Sequence, residues 1–136
     1  MTIDKKTEIT LAQATIADGD AYLSLEKQVG GKSYAALKTE EEYLEETKTA
    51  TIYLFKIEDK VIGHITYHAK VDGSVHLGGF AIEPKYQGKG FGRASMELIL
   101  ALAQNAPKID LVTHPDNFKA IGLYESFGFK ITERKE

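Results

Sequence analysis

The sequence of 136 residues contains no cysteine. This absence excludes disulfides, thiolate metal ligands and a cysteine nucleophile together. No apolar run approaches the roughly 20 residues that a membrane-spanning helix needs, and the first residues, Met1 to Lys6, lack the apolar core of a signal peptide. We therefore expect a cytoplasmic protein that does not bind a membrane.

The remaining composition is ordinary for a globular protein. Apolar residues make up 43% of the chain and charged residues 27%, and this length is enough for one hydrophobic core. We expect a single domain over residues 1–136. The formal net charge of −3 argues against nucleic acid as a partner and is compatible with a cationic substrate.

Hydrophobic periodicity predicts a mixed α/β chain whose sheet is mostly antiparallel. The strand from Val75 to Ile82, the long helix after it and the strand from Ile109 to Thr113 form a right-handed βαβ unit, which adds one parallel strand pair. The other predicted elements are strands at Thr7 to Ala12, Thr51 to Ile57, Val61 to His68 and Phe129 to Glu133, and helices at Asp18 to Val29, Thr39 to Thr47, Phe91 to Ala103 and Phe118 to Phe127.

A glycine-rich turn, Gln87-Gly88-Lys89-Gly90-Phe91-Gly92-Arg93, joins the strand that ends at Ile82 to the long helix. Glycine permits positive φ and close approach of a ligand to the backbone. The first N–H groups of a helix have no intrahelical partner and carry partial positive charge. The turn is therefore predicted to bind a phosphate or pyrophosphate group.

Spacing decides which phosphate motif this turn resembles. The P-loop pattern fails because its first glycine is missing and Gly90 follows Lys89, and the dinucleotide pattern fails because Arg93 replaces its third glycine. Gln-x-x-Gly-x-Gly does fit, at Gln87, Gly90 and Gly92. Together with the preceding Phe80-Ala81-Ile82-x-Pro84, this stretch resembles the signature of the GNAT superfamily of acyl-CoA N-acyltransferases.

A second segment supports the same resemblance. Asn117-x-x-Ala120-Ile121-x-x-Tyr124-x-x-x-Gly128-Phe129 is similar to the closing helix motif of that superfamily. The predicted order of elements also matches, from the first strand to the last. The resemblance implies the acyl-CoA N-acyltransferase fold, in which a parallel strand pair is splayed, and an acetyltransferase that moves an acetyl group from acetyl-CoA to a primary amine of a small molecule or peptide.

The resemblance also implies roles for individual residues. Tyr124 corresponds to the general acid that protonates the CoA sulfur, and Gly78-Gly79 to the bulge that splays the strands. Asn117 corresponds to a residue that supports the cofactor arm. The expected cofactor-binding residues are, on the strand, Phe80, Ala81 and Ile82, and, in the turn, Gln87, Gly88, Lys89, Gly90, Phe91, Gly92 and Arg93.

The general base and the acceptor are not identified by the sequence. Relatives that acetylate ribosomal-protein N-termini carry a glutamate at the position of Val112, so their mechanism does not transfer. Glu83, His76 and His114 are the remaining candidates for proton relay. The acidic segment Glu40 to Glu46 is interpreted as a solvated helix face, with an amine-attracting rim as the alternative.

No metal site is expected from the histidines. His64 and His68 lie on one predicted strand, where residues four apart are separated by roughly 13 Å and cannot chelate one ion. The acyltransferase fold usually adds another strand after the one predicted at Phe129 to Glu133, and here only three residues remain. Either the chain is a minimal member of the superfamily, or it is truncated, or a partner chain supplies the strand. An open edge there would favour strand pairing between two copies, and we hypothesise a homodimer. The alternative function is a non-catalytic acyl-CoA-binding or regulatory domain.

Overall fold

The computed structural model describes residues 8–29, 39–113 and 116–130. Five strands and four α-helices lie in these ranges. In chain order the elements are β1 Ile9–Gln13, a 3₁₀ turn Ile16–Asp18, α1 Gly19–Val29, α2 Glu40–Thr49, β2 Thr51–Ile57, β3 Lys60–Ala69, β4 Val75–Ile82, a 3₁₀ turn Pro84–Tyr86, α3 Phe91–Leu102, β5 Ile109–Leu111 and α4 Phe118–Ser126.

The five strands form one sheet in sequence order, β1-β2-β3-β4-β5. The first three pairings are antiparallel, and β4 pairs with β5 in parallel across the α3 crossover. This topology confirms the predicted mixed α/β architecture with a single parallel pair. Most predicted boundaries agree within two residues, because the turns between β2, β3 and β4 are set by short polar segments.

Each face of the sheet packs against its own pair of helices. Side chains alternate along β2, so that Leu54 contacts the tyrosines of α1 and α2 on one face, while Phe55 contacts the cluster that includes Met96 and Ile99 of α3 on the other. All four of these side chains are fully buried. Burial of each contributes roughly 1.5–3 kcal/mol, which fixes the sheet between the two helical layers.

Two short polar motifs begin the helices of the first layer. The Thr39 hydroxyl accepts a hydrogen bond from the Glu42 N–H at 3.1 Å, as the predicted capping box requires. Asp18, predicted as the cap of α1, instead turns its carboxylate back to accept from the Thr15 N–H at 2.7 Å. The carboxylate thereby caps the short 3₁₀ turn that leads into α1.

The predicted last strand, Phe129 to Glu133, falls mostly outside the described residues, and so does the edge on which the predicted homodimer depends. Phe129 and Lys130 are not part of a strand. Within the described ranges, the structure contains no helix of the length and apolarity that crossing a membrane requires.

Candidate active site

The two parallel strands separate partway along their length. β4 pairs with β5 only where Val75–Leu77 lies opposite Ile109–Leu111, whereas β4 itself continues to Ile82. The predicted β5 was two residues longer, but Val112 and Thr113 leave the sheet. A slot therefore opens beside the second half of β4, where no described strand covers its backbone.

A bulge in β4 marks the start of this slot. Where β3 contributes one residue, Ile65, β4 contributes two, Gly79 and Phe80. Gly79 has φ 57°, a conformation that favours glycine and is typical of a bulge of this kind. The extra residue increases the local twist of β4 and turns it away from β5. The predicted bulge is confirmed, one residue later than the expected Gly78-Gly79.

The exposed edge of β4 presents backbone groups to the slot. The Glu83 N–H donates to the Ile62 carbonyl at 2.7 Å and so points toward β3. Because backbone groups alternate along a strand, those of Ile82 point the other way, into the slot. The Ile82 carbonyl already accepts a hydrogen bond from the Gln87 side-chain amide at 2.8 Å. Gln87 thereby fixes the glycine turn to the end of β4.

The glycine turn itself exposes several backbone N–H groups. Gly88 has φ 75° and Gly90, the residue that precedes α3, has φ 87°. The first helical hydrogen bond runs from the Ala94 N–H to the Gly90 carbonyl at 3.1 Å. The N–H groups of Phe91 to Arg93 therefore have no helical acceptor, and the first turn of α3 carries no acidic side chain. This arrangement suits a bound anion.

Two lysines lie beside the turn around one aromatic ring. The ammonium groups of Lys60 and Lys85 each lie 5.3 Å from the ring centre of Tyr86, and Lys60 also pairs with Glu83 at 3.7 Å. The neighbouring Lys60 ammonium lowers the pKa of Lys85. Positive charge is thus concentrated next to the free amides, as an anionic ligand requires.

The Arg93 side chain points away from the turn. Its guanidinium donates to the Ser126 hydroxyl at 2.7 Å and lies 4.8 Å from the centre of the Phe127 ring. Arg93 therefore connects α3 to α4. Of Arg93, which was among the expected cofactor-binding residues, only the backbone amide remains available to a ligand in the turn.

Helix α4 carries the predicted general acid beside the bulge. The Tyr124 ring lies 6.4 Å from Phe80 and 6.0 Å from Phe129, centre to centre, and the side chain is only 8% exposed. Burial raises the pKa of Tyr124 to about 12. The hydroxyl therefore keeps its proton at neutral pH, as a proton donor must.

Asn117 begins α4. Its side-chain oxygen accepts a hydrogen bond from the Ala120 N–H at 3.3 Å, which satisfies one of the free donors of the helix. The residue therefore has a structural role as the cap of α4, at the turn where the sequence predicts one. Its predicted role toward the cofactor arm stays a prediction.

A groove of about 270 Å³ reaches the bulge from the other side of the sheet, between α1, α2 and the strands. Glu26 and Glu46 contribute carboxylates to its lining, and Gly78 and Gly79 form the part that meets the bulge. The other lining residues are Tyr22, Thr49, Ala50, Thr66, His68 and His76. Of the acidic segment on α2, only Glu46 lines the groove, so the segment divides between a solvated face and a groove wall.

A buried polar cluster lies under this groove. The Tyr22 hydroxyl donates to Glu26 at 3.2 Å, and the other oxygen of Glu26 lies 3.4 Å from His64 Nε2. All three side chains are at most 2% exposed. Burial, followed by the charge of Glu26, raises the pKa of Tyr22. His64, interpreted from sequence as structural or at the surface, is a core residue.

Of the candidates for proton relay, His76 also lines the groove, and its Nδ1 lies 2.6 Å from an oxygen of Asp110 on the neighbouring strand. Glu83 is held by Lys60, and His114 lies outside the described residues. Val112 is 80% exposed. The sequence could not reveal the His76–Asp110 pair, because the register between β4 and β5 is set by the crossover and not by any local pattern.

No group of three or more histidine, aspartate or glutamate side chains in the described ranges is arranged to hold a metal ion. The site therefore consists of a slot with free amides at one end, a buried tyrosine beside it, and a carboxylate-lined groove that meets it at the bulge. Such a site can hold a long phosphorylated ligand and a cationic one so that they meet end to end.

Known proteins share the sequence pattern and the fold of this chain. The model of the acetyltransferase (GNAT) family matches residues 21–129. Two curated proteins, the peptidyl-lysine N-acetyltransferases YjaB of Salmonella typhimurium and Escherichia coli, are each 34% identical over 61 residues. That match covers 45% of this chain and 40% of each relative, so the chain matches less than half the length of these curated proteins.

Solved structures share the fold over most of the chain. The ribosomal-protein-S18-alanine N-acetyltransferase of Escherichia coli superposes with a TM-score of 0.79 at 22% identity, covering 93% of this chain and 80% of that one. A GNAT-family acetyltransferase of Streptococcus pneumoniae superposes with a TM-score of 0.71 at 28% identity, covering 91% and 89%.

Proposed function

Because the chain belongs to the GNAT acetyltransferase family, we propose that it transfers the acetyl group of acetyl-CoA directly to a primary amine, on a peptide lysine or a small molecule. The observation that carries the proposal is the separation of β4 from β5 at the Gly79–Phe80 bulge. The slot and the groove meet at this point of the sheet from two sides, which supports a donor in the slot and an acceptor in the groove.

The residues present fit acetyl-CoA. The free N–H groups of Phe91 to Arg93, with Gly88 to Gly90 before them, suit the pyrophosphate, and Lys89 adds an exposed ammonium. The open edge of β4 at Phe80 to Ile82 suits the amides of the pantetheine arm, which would pair with it as an added strand. A slot-facing backbone N–H there would polarise the thioester carbonyl.

Tyr124 assists departure of the thiolate. Transfer of acetyl forms a C–N bond and breaks the C–S bond, so negative charge develops on sulfur. A CoA-like thiol has a pKa of about 8.5, well below the pKa of about 12 to which burial raises Tyr124, so complete ionisation of the tyrosine is unfavourable. The hydroxyl therefore acts by donating a hydrogen bond that strengthens as charge builds, and by passing on a proton from the attacking nitrogen.

The acceptor reaches the thioester through the groove. Glu46 lines this entrance, and Glu26 lies buried beneath it, so the Glu46 carboxylate favours an ammonium over an uncharged or acidic acceptor. The curated relatives are named as peptidyl-lysine N-acetyltransferases. We therefore place a lysine-containing peptide first among the acceptors and small-molecule amines second.

A thiol-release assay tests the proposal. Purified protein is given acetyl-CoA and a panel of lysine peptides and small amines, and CoA release and acceptor mass are followed. Wild type is expected to acetylate at least one acceptor. Tyr124→Phe is expected to lower kcat by about 100-fold, as loss of a general acid does, with little change in Tm.

Two results would argue against the enzyme. Acetyl-CoA binding without turnover on any amine would favour the alternative of a non-catalytic acyl-CoA-binding domain. Absence of thermal stabilisation by millimolar acetyl-CoA would exclude even binding, because a ligand of the native state must raise stability.

A further inference from the structure

Two histidines and an aspartate form a row across three strands of the sheet. His68 of β3 is the register partner of His76 of β4, and His76 is in turn the partner of Asp110 of β5. Side chains of directly opposed residues project from the same face of a sheet, and both histidines line the groove that meets the bulge. The two imidazole rings are therefore neighbours on the wall of the groove.

The His76 ring is oriented by the carboxylate on its β5 side. Its Nδ1 lies 2.6 Å from Asp110 Oδ1, and the hydrogen bond between them lowers the pKa of Asp110. The Nδ1–H donates to the ionised carboxylate, which leaves the lone pair of the imidazole on Nε2. Because the two nitrogens lie on opposite sides of the ring, Nε2 faces away from β5, and the next strand on that side is β3 with His68.

The spacing of the two histidines across the strands suits chelation. Directly opposed side chains have Cβ atoms about 5 Å apart, so two imidazoles can approach one ion at the usual zinc–nitrogen distance of about 2.0–2.1 Å. The expectation drawn from the sequence concerned His64 and His68, which lie four residues apart on one strand. His68 is exposed and the His76 side chain is 38% exposed, so an ion from solvent can reach both rings.

The charges around the pair favour a cation on the groove side. Glu46 of α2 lines the groove. On the opposite side of His76, Lys70 Nζ lies 3.5 Å and Lys108 Nζ 3.9 Å from Asp110 Oδ2. Because the lysines face this second oxygen, Asp110 supports the histidine from behind and is not itself a ligand. Carboxylates hold zinc-binding histidines in the same way.

We propose that the His68 and His76 rings bind one Zn²⁺ ion, or a divalent ion of the same class, and that the bound ion blocks the groove. Imidazole nitrogen is a ligand for zinc, copper and nickel, whereas magnesium and calcium take oxygen ligands. Within the described ranges no third histidine, aspartate or glutamate completes the pair, so water fills the other positions. Such an open site exchanges its ion with solvent, unlike a structural zinc site with four protein ligands.

The bound ion interferes with the acceptor and not with the donor. Binding of the ion is independent of the function proposed above, whereas the block rests on it. His76 lies three residues before Gly79, roughly 10 Å along the strand, and both residues line the acceptor groove. The glycine turn lies beyond the other end of β4. Zinc is therefore expected to compete with a lysine peptide and to leave the affinity for acetyl-CoA unchanged.

Binding is tested on protein without an affinity tag, titrated with ZnCl₂ in a buffer that does not bind the ion. The chain has no cysteine and four histidines, so few other nitrogen or sulfur ligands compete. Wild type is expected to bind one equivalent. His68→Asn and His76→Asn should each weaken binding at least tenfold, because one imidazole remains. Asp110→Asn should weaken binding about tenfold, because it removes the carboxylate that orients His76.

A control variant and a spectroscopic probe separate this site from unspecific binding. His114→Asn replaces a histidine outside the pair and is expected to bind zinc as wild type does. Electron paramagnetic resonance with one equivalent of Cu²⁺ counts the nitrogen ligands: wild type should show two imidazole nitrogens, and His68→Asn and His76→Asn one each. Circular dichroism and Tm of the metal-free variants check that each is folded.

The block is tested by acetylation of a lysine peptide, followed by mass at low turnover so that little CoA thiol is released to bind zinc. Zinc is expected to raise the KM for the peptide in wild type. The same zinc concentration should leave the rate of His68→Asn at the metal-free rate of that variant.

Specific results would overturn the proposal. The site is refuted if folded His68→Asn and His76→Asn bind zinc as tightly as wild type, if His114→Asn loses as much affinity as they do, or if bound copper shows no imidazole nitrogen. Zinc binding at the pair without any rise in the KM for the peptide would refute the block. Absence of acetylation by the metal-free wild type on every amine would refute the proposed function, while the titrations still decide whether the pair binds zinc.

Discussion

Replacing Gly90 with alanine tests whether the geometry of the glycine turn is required. Gly90 has φ 87°, and a Cβ built on it meets nothing within 4 Å. Any effect of Gly90→Ala must therefore come from backbone conformation and not from a clash. Gly122 on α4 is the matched control, since its Cβ also meets open space but its φ is not positive.

The two substitutions are expected to change stability in opposite directions. At Gly90 the left-handed conformation costs alanine about 1–2 kcal/mol, offset by about 0.5–1 kcal/mol from the reduced freedom of the unfolded chain. At Gly122 the helix gains about 0.5–1 kcal/mol. The free energies of unfolding of the two variants should therefore differ by about 2 kcal/mol, or about 6–10 °C in Tm for a chain of this size.

Binding of acetyl-CoA provides the second readout. If Gly90→Ala shifts even one free amide away from a phosphate oxygen, the lost charge-assisted hydrogen bond weakens binding about tenfold or more. Calorimetric titration and thermal denaturation measure the two effects on the same samples. If Gly90→Ala is as stable as Gly122→Ala, or binds acetyl-CoA as tightly as wild type, the turn does not require the positive φ of Gly90.

Further substitutions probe the strand, the groove and the helix cap. Gly63→Ala places a Cβ 2.6 Å from the Ala81 carbonyl oxygen, so denaturation should show that the free energy of unfolding falls by about 2 kcal/mol or more. Wild-type stability of this variant would contradict the close contact between β3 and β4. Glu46→Gln should raise the KM for a lysine peptide severalfold at low salt, whereas Glu45→Gln, which does not line the groove, should leave it unchanged. Asn117→Ala should lower the free energy of unfolding by about 1 kcal/mol, and Asn117→Asp should leave it almost unchanged. Equal losses in the two variants would show that the Asn117 side chain does not cap α4.

The architecture was readable from the sequence because each element had a local cause. Alternating β-branched residues specify β2 and β3, and the capping box specifies the start of α2. The glycine turn could be predicted as an anion site because positive φ at Gly88 and Gly90 is a property of glycine itself. These features do not depend on distant parts of the chain.

The features that could not be predicted from the sequence depend on the register between strands and on the directions of side chains. β5 is shorter than predicted because the bulge in β4 ends the pairing, and the two strands are joined only across α3. Arg93 looked like part of the anion cradle, but its side chain reaches Ser126 on a helix 33 residues away in sequence. The His76–Asp110 pair exists only because β4 and β5 meet in one particular register.

The central claim is direct transfer of acetyl from acetyl-CoA to an amine at the point where β4 and β5 separate. A quenched single-turnover reaction measures it, with protein in excess over acetyl-CoA, a lysine peptide as acceptor, and intact masses of peptide and protein followed together. Acetyl is expected to appear on the peptide at the rate at which CoA is released, with none on the protein. Acetyl that accumulates first on the protein, or CoA release without peptide acetylation, would contradict it.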